Sequence, residues 1–170
     1  MNIIAATDNH WGIGKDGELL YRIPEDMRFF REKTLGKVVV MGHSTFQSLP
    51  GARPLSDRIN VVLTRRDDLK IAGCRVVSGD NSNIYRKLSE TLRIYPTEDV
   101  FIIGGGKIYS LLLDHCRYAY VTKIHADGKA DVFLPNLDMM KNWSLAEQSG
   151  MKEYQGLAFS FCLYRNAEVL

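Results

Sequence analysis

The strongest constraint on the fold of this chain is a series of short apolar runs rich in β-branched residues. The runs are "IIAA" at 3–6, "KVVVMG" at 37–42, "INVVLT" at 59–64, "CRVVS" at 74–78 and "VFIIGG" at 100–105. Their apolar residues are nearly continuous rather than alternating, which is typical of strands that are buried on both faces of a parallel sheet. The sequence therefore predicts a parallel sheet at the centre of the molecule.

Segments of helical character lie between these runs. They cover 24–34, roughly 43–49, 82–93 and 106–116. In the third segment Ile84, Leu88 and Leu92 recur at every fourth position and so share one helix face. Alternation of strands and helices along a chain indicates an α/β domain.

The last third of the chain has a different pattern. The stretches "RYAYVTKI" (117–124) and "LAFSFCLYR" (157–165) alternate more, which predicts antiparallel strands towards the edge of the sheet. We find no repeat, no low-complexity tract and no long linker. We therefore expect one domain over residues 1–170, with a single twisted, mostly parallel sheet flanked by helices and an antiparallel C-terminal section.

Composition and charge limit the kinds of partner that we expect the chain to bind and the compartment in which we expect it. Lys and Arg exceed Asp and Glu by only 22 − 20 = 2, so there is no general attraction to nucleic acid or to an anionic membrane. The three cysteines, Cys74, Cys116 and Cys162, are far apart and read as reduced thiols. No signal peptide and no apolar stretch of membrane-spanning length is present. We expect a soluble, cytoplasmic monomer.

Three of the predicted strands end in residues that suit an anion. They are Gly42 followed by Ser44 and Thr45, Thr64 followed by Arg65 and Arg66, and the run Gly104, Gly105 and Gly106. Ligands of open α/β sheets bind at the carboxyl ends of strands, and helix N-termini there offer free N–H groups to phosphate. Each group alone could be a helix cap, a solvated surface or a tight turn, and none spells a Walker A or GxGxxG motif. Together they favour a dinucleotide.

The remaining motifs exclude several kinds of chemistry. The four histidines form no HExxH pattern and have no close Cys partner, so we predict no metal site. There is no GxSxG nucleophile elbow. The polar, Gly-bearing stretch 7–20 after the first strand suits a lid over a site, although it could be a plain surface loop. A dinucleotide without a metal or a nucleophile indicates redox chemistry supplied by the cofactor.

Asp26 raises a separate question. It lies in the first turn of the helix predicted at 24–34, next to an apolar face formed by Met27 and Phe30 that we expect a core to cover. Acids favour that end of a helix, and Glu25 could already serve the helix dipole. The pattern alone favours a solvated first-turn acid, with a pocket carboxylate as the alternative.

Taken in order, these stretches resemble the dihydrofolate reductase family of the bacterial chromosomal type. The resemblance runs through nearly the whole chain. It is carried by "GIGKDGELLYRIPEDMRFFREKTLGKVVVMGHSTFQSLP", "RPLSDRINVVLTR", "VFIIGGGKIY", "YVTKI" and "ADVFLP". It implies reduction of 7,8-dihydrofolate to 5,6,7,8-tetrahydrofolate for one-carbon metabolism, with NADPH as cofactor, dihydrofolate as substrate and antifolates as inhibitors. The hydride would go to C6 and the proton to N5. It also implies an eight-stranded, mainly parallel sheet and a cis peptide between Gly104 and Gly105.

The resemblance also implies roles for individual residues. Asp26 matches the pocket carboxylate, Thr122 the hydroxyl that supports it, and Arg58 the arginine that binds the glutamate α-carboxylate of the substrate. Leu19 and Tyr21 match lid positions next to the reacting groups, and the Tyr21 hydroxyl could hold a water there. The walls around the pterin and benzoyl groups match Ile4, Ala6, Met27, Phe30, Leu49 and Leu55, and Ile103 and Tyr109 flank the nicotinamide and the pterin. The cofactor surface matches Ala6, Ile13, Gly42, His43, Ser44, Thr45, Leu63, Thr64, Arg65, Ile103, Gly104, Gly105, Gly106, Lys107 and Ile108.

Three departures from the family pattern stand out. Leu20 and Tyr21 replace a Pro-Trp pair, His43 stands where an arginine commonly meets the cofactor phosphates, and "SLPGARPL" is slightly longer than in some relatives. Two other functions are therefore kept open. One is a reductase of the same fold that acts on a ribosylated pyrimidine in riboflavin synthesis. The other is a nucleotide-binding module without catalysis.

Overall fold

The computed structural model describes residues 1–170 and contains one main β-sheet, a small second sheet and a few helices. The strands are β1 (Asn2–Thr7), β2 (Gly12–Lys15), β3 (Glu18–Leu19), β4 (Val38–Gly42), β5 (Ile59–Thr64), β6 (Cys74–Ser78), β7 (Val100–Gly104), β8 (Tyr118–Ile124), β9 (Val132–Phe133), β10 (Trp143–Gln148), β11 (Lys152–Tyr154) and β12 (Leu157–Asn166). The α-helices are α1 (Pro24–Thr34), α2 (His43–Ser48), α3 (Ile84–Leu92) and α4 (Gly106–Leu112). Short 3₁₀ turns cover Pro50–Ala52, Thr97–Asp99, Leu113–His115 and Leu137–Met139.

The main sheet confirms the predicted α/β class. Its strands follow the order β10-β12-β8-β1-β7-β4-β5-β6, and the short strand β11 pairs beside β10 on β12. From β8 to β6 every neighbouring pair is parallel. The pairs made by β12 are antiparallel. The sheet is therefore mainly parallel, with an antiparallel C-terminal section.

The central strands are buried on both faces, as their continuous apolar runs predict. In β4, Val38 and Val40 belong to the main core cluster, whereas Val39 and Met41 pack in a second cluster with Phe46. Successive side chains of a strand point to opposite faces, so both sides of the sheet are covered. The parallel strand ends on which a site depends therefore have a rigid base.

Two strands lie elsewhere in the sheet than their sequences indicate. β8 was expected towards the edge, but it lies between β1 and β12. Its alternation arises because Ala119 and Val121 are fully buried, whereas Tyr120 on the other face is only partly covered, next to Phe29 of α1. β6 was expected to be buried on both faces but is the edge strand, with Arg75 exposed.

The predicted helices are confirmed with small differences at their ends. α1 has the bounds predicted from the sequence, and α3 buries Ile84, Leu88 and Leu92 on one face as expected. The segment predicted as helix at 106–116 stops as an α-helix at Leu112 and continues as a 3₁₀ turn. None of the helices is both long and apolar enough to span a lipid bilayer.

The stretch that we interpreted as a polar lid contains regular structure. β2 and β3 form a hairpin, and β9 pairs with β2 to complete a separate three-stranded sheet. In this sheet Gly14 pairs with Leu19 on one side and with Val132 on the other. The segment after β1 is therefore attached to the strand that follows β8 rather than being a free loop.

Candidate active site

Asp26, in the first turn of α1, is partly buried and faces Thr122 of β8. The Thr122 hydroxyl in β8 donates a hydrogen bond to Oδ1 of Asp26, at 2.6 Å. The neighbouring acid, Glu25, instead forms an ion pair with Lys152 Nζ at 2.9 Å. The two first-turn acids thus have different surroundings, and those of Asp26 are compatible with the predicted pocket carboxylate.

The surroundings of Asp26 control its protonation. Burial raises the pKa of Asp26, and the hydrogen bond from Thr122 opposes this effect. The second oxygen, Oδ2, receives no hydrogen bond from the protein. A carboxylate with one oxygen held and the other open can accept two parallel N–H groups from a planar ligand.

The residues predicted to form the apolar walls are buried to different extents. Leu49, Leu55 and Ile103 are partly buried against the cluster beneath α2, and Ala6 and Tyr21 pack against Ile23. Phe30 is also partly buried, whereas Ile4 is buried. The core expected to cover Met27 is absent, since Met27 is 50% exposed. That prediction was wrong because α1 leaves this side chain open beside the carboxylate.

Tyr109 ties α4 to the central strand β1. Its hydroxyl donates to the backbone oxygen of Ile4 at 2.8 Å, and its side chain is buried. Burial raises the pKa of Tyr109, so the hydroxyl remains a donor. An added side chain at Gly104 would reach 3.6 Å from this hydroxyl, so Tyr109 lies directly against the glycine run.

The three predicted anion-binding strand ends lie side by side. β4 pairs in parallel with β7 on one side and with β5 on the other. The carboxyl ends of these three strands, at Gly104, Gly42 and Thr64, therefore lie next to each other. α2 and α4 start directly after β4 and β7, and neither N-terminus is capped by a side chain. Free N–H groups at two neighbouring helix starts suit the phosphates of a dinucleotide.

The glycine run also has packing reasons to lack side chains. Gly104 has a φ of +126°, and its peptide bond to Gly105 is cis, as the resemblance implies. A Cβ atom at Gly106 would lie 2.8 Å from Cγ1 of Val132 and 3.0 Å from the backbone oxygen of Phe133. The run therefore brings its backbone close to β9 and leaves little room for any substitution.

The arginines after β5 are not equivalent. Arg66 forms an ion pair with Asp68 at 3.3 Å, and its backbone N–H donates to Thr64. Arg65 is exposed and has no ion-pair partner, so its guanidinium is available to an anion. Ser44 and Lys107 are exposed as well, and His43 and Thr45 are partly exposed. Leu63 is buried and Ile108 packs on Gly42, so neither side chain is a polar contact for a ligand.

The lid residues Leu19 and Tyr21 differ in position. Leu19 is 59% exposed in β3, while Leu20 packs on Gly128. Burial raises the pKa of Tyr21, and the negative charges of Asp8 and Asp127 add to the effect. Ile13, in β2, is partly buried against the main core.

Some residues of the site were missed by the sequence reading. Asp8 is buried and accepts backbone N–H groups from His10 and Gly12, both at 2.8 Å, and from Gly128 at 3.0 Å. It fastens the start of the lid to the segment after β8. An Asp side chain commonly accepts a hydrogen bond from the backbone N–H two residues later and so marks a turn. The bond from His10 is therefore a local feature that the sequence does carry.

Comparisons with known proteins agree with this geometry. The family model described as dihydrofolate reductase matches residues 1–166. The dihydrofolate reductase of Bacillus subtilis is 34% identical over 167 residues, covering 96% of this chain and 93% of that protein. The chain belongs to the dihydrofolate reductase family. The predicted family, the reductase class and NADPH as cofactor are thereby confirmed.

Other relatives extend the comparison. The bifunctional dihydrofolate reductase-thymidylate synthase of Glycine max is 37% identical over 95% of this chain, which spans only 32% of that longer protein. The dihydrofolate reductase of Enterococcus faecalis, solved in complex with NADP(H) and the compound RAB-propyl, superposes with a TM-score of 0.79 at 28% identity. That alignment covers 97% of this chain and 95% of the neighbour.

Proposed function

We propose that this chain reduces 7,8-dihydrofolate to 5,6,7,8-tetrahydrofolate, with NADPH as the cofactor and Asp26 as the carboxylate that binds the pterin. The observation that carries the proposal is the hydrogen bond from Thr122 to the partly buried carboxylate of Asp26 in a chain of the dihydrofolate reductase family. When bound, NADPH supplies a hydride for C6 of the pterin. The residues of the chain hold the two ligands and control the proton.

Asp26 acts on the substrate at a distance from the reacting atoms. The 2-amino-4-oxopteridine presents an N–H and an NH₂ side by side, and the carboxylate accepts both. Its negative charge favours a substrate that carries a proton at N5, and that proton arrives by way of water. Thr122 keeps the carboxylate oriented, while the pocket excludes bulk water from one side.

The remaining substrate contacts are apolar except for one cation. Arg58 binds the α-carboxylate of the glutamate tail through the N–H donors of its planar guanidinium. The pterin and benzoyl groups are surrounded by Ile4, Ala6, Met27, Phe30, Leu49 and Leu55, and Ile103 and Tyr109 flank the nicotinamide and the pterin. Leu19 closes over the site, and the Tyr21 hydroxyl orders water on its lid side.

The carboxyl ends of β4, β5 and β7 hold NADPH. Ala6 and Ile13 contact the nicotinamide end, and the free helix starts at Gly42 and Gly105 bind the pyrophosphate. Arg65 and Thr64 bind the 2′-phosphate, since Arg65 is exposed directly after β5 and, unlike Arg66, has no ion-pair partner. The other contacts come from His43, Ser44, Thr45, Leu63, Ile103, Gly104, Gly106, Lys107 and Ile108.

The experiment that tests the proposed reaction is the decay of NADPH absorbance with and without dihydrofolate. We expect oxidation only when both are present. Turnover of a ribosylated aminopyrimidine in place of dihydrofolate would instead support the riboflavin-pathway reductase. Binding of NADPH without oxidation in the presence of either substrate would support a non-catalytic module.

We further propose that the chain is one domain, a monomer and cytoplasmic. β1 lies inside the main sheet and β12 pairs with β8, so the first and last strands share one sheet. The three cysteines form no disulfide, which suits a reducing compartment. Light scattering during size-exclusion chromatography tests the monomer, and fractionation of cells tests the compartment. Antifolates with adjacent N–H and NH₂ groups should bind at Asp26.

A further inference from the structure

The guanidinium of Arg58 is held by two acceptors of the protein. Its Nε donates to Oγ1 of Thr34 at 3.3 Å, and its Nη1 donates to the backbone oxygen of Ser56 at 2.7 Å. A guanidinium has five N–H donors in a rigid planar fork. Two are used by these bonds, which leaves one on Nη1 and both on Nη2 for an incoming carboxylate.

Thr34 is placed so that it can only accept from Arg58. It is the last residue of α1 and is 0% exposed. Its hydroxyl donates its single proton to the backbone oxygen of Phe30, at 2.8 Å. The lone pairs of the oxygen then remain for the Nε–H of Arg58, so the direction of the bond between the two side chains is determined.

The backbone around Arg58 is fixed to the end of the same helix. The side chain of Asn60, 2% exposed, bonds both the N–H and the oxygen of Leu55 at 2.9 Å and the oxygen of Arg58 at 3.2 Å. The backbone N–H of Gly36 donates to the oxygen of Asp57 at 2.8 Å. Thr34 and Arg58 therefore belong to one rigid frame, and the bond between them orients the guanidinium rather than the turn.

We infer that Thr34 is a positioning residue that orients Arg58 for the carboxylate of the substrate tail. This inference rests on the proposed function, in which Arg58 binds that carboxylate. Because Thr34 restrains the guanidinium before the substrate arrives, less side-chain freedom is lost on binding.

The test compares variants of Thr34 with two substrates, dihydrofolate and a dihydropterin that lacks the glutamate tail. Thr34→Val removes the acceptor while conserving volume, and Thr34→Ala removes it without a branched side chain. We expect either change to raise KM for dihydrofolate by about tenfold, the usual effect of losing one hydrogen bond to a charged group, with kcat within about twofold of wild type. Thr34→Ser should restore the wild-type KM, and the tailless substrate should show no change.

Thr91 provides a matched control. It makes the same bond as Thr34 to the backbone oxygen four residues earlier, Lys87, at 2.9 Å, but in α3 and without an arginine partner. Thr91→Val should leave both KM values unchanged. In an Arg58→Leu background Thr34→Val should have no further effect on KM for dihydrofolate, because the group that it orients is gone.

The outcomes distinguish a failure of the inference about Thr34 from a failure of the proposed function. An equal rise of KM for both substrates, or a tenfold effect that persists in the Arg58→Leu background, overturns the inference about Thr34 while the proposed reaction stands. If Arg58→Leu itself affects both substrates equally, the assignment of Arg58 is overturned and the inference with it. If the wild-type chain does not oxidise NADPH with dihydrofolate at all, the proposed function fails first.

Discussion

The two ends of the proposed site differ in the groups that contact the ligand, which are side chains at one end and backbone groups at the other. At the pterin end a side-chain pair, Asp26 and Thr122, carries the specific contact. At the cofactor end the backbone does so, through the strand ends at Gly42, Thr64 and Gly104 and two uncapped helix starts. A contact made by one side chain is lost with a single substitution, whereas a contact made by several N–H groups survives most side-chain changes. The first end should therefore be fragile and the second robust.

Asp26→Asn should have the largest effect on turnover. The amide keeps the size of the side chain and can still accept from Thr122, but it lacks the charge that favours protonated substrate. We expect kcat/KM for dihydrofolate to fall by about 100-fold or more at pH 7, with partial recovery in acid as the substrate is protonated in solution. Steady-state rates from pH 5 to 9 measure this.

Glu25→Gln is the matched control for that experiment. It changes the neighbouring first-turn acid, which is paired with Lys152 on the surface. Turnover close to wild type is expected, because surface pairs contribute little. Equal losses in both variants would mean that charge at the helix start, and not the pocket carboxylate, matters.

Arg58→Leu should come next, through binding rather than chemistry. Leaving a carboxylate without its charged partner costs about 2 kcal/mol or more, so KM for dihydrofolate should rise while kcat changes little. Arg86→Leu, which breaks a surface pair with Glu90 in α3, serves as the control. A rise confined to kcat would contradict the assignment of Arg58 to the tail.

Arg65→Ala should have a smaller effect that appears only as a change of cofactor preference. The wild type should prefer NADPH to NADH by about tenfold or more, the usual value of one charge-assisted contact, and the variant should lose most of that preference. Arg66→Ala should not, since Arg66 is paired with Asp68. Ratios of kcat/KM for NADPH and NADH in the three proteins decide this, and an equal loss for both cofactors would contradict it.

The smallest expected effect is on stability, and its sign follows from the pKa of Asp26. Burial raises the pKa of this carboxyl above its ordinary 3.8, so the folded chain binds the proton more tightly than the unfolded chain does. The stabilisation by that proton is complete below the unfolded pKa and is lost as pH rises through the folded pKa. Above that range the buried charge is a cost, which Asp26→Asn removes.

Thermal unfolding from pH 4 to 8 checks the sign. The unfolding midpoint of Asp26→Asn should be equal to or higher than that of wild type at pH 7, and the difference should shrink in acid. A variant that is markedly less stable at pH 7 and recovers in acid would show that the charged form of Asp26 stabilises the fold.

Much of the fold could be predicted because it depends on local patterns. The continuous apolar runs identify the parallel strands β1, β4, β5, β6 and β7, and the spacing of Ile84, Leu88 and Leu92 identifies α3. β2, β3 and β9 could not be found, since they are short and β2 contains two glycines. The pairing of β2 with β9 joins residues more than 100 positions apart in the chain, which no local pattern reports.

The residues of the candidate site also differ in how well the sequence alone predicts them. The glycines after β7 stand out in the sequence because a strand-to-helix turn seldom needs three glycines in a row. Asp8 and Thr34 do not stand out, since their partners, Gly128 and Arg58, are close only in the folded chain. The pattern alone leaves the role of Asp26 open, because the helix dipole is enough to favour an acid in a first turn, and only the resemblance assigns it to the pocket.

The most direct test of the central claim measures whether the carboxylate of Asp26 meets the 2-amino group of the pterin. Dissociation constants are measured for a 2-amino-4-oxopteridine and for its analogue without the 2-amino group, with the wild type and with Asp26→Asn. The account predicts that the wild type prefers the amino compound by about tenfold or more, the usual value of a hydrogen bond to a charged group, and that Asp26→Asn loses most of this preference. Equal preference in both proteins would contradict it.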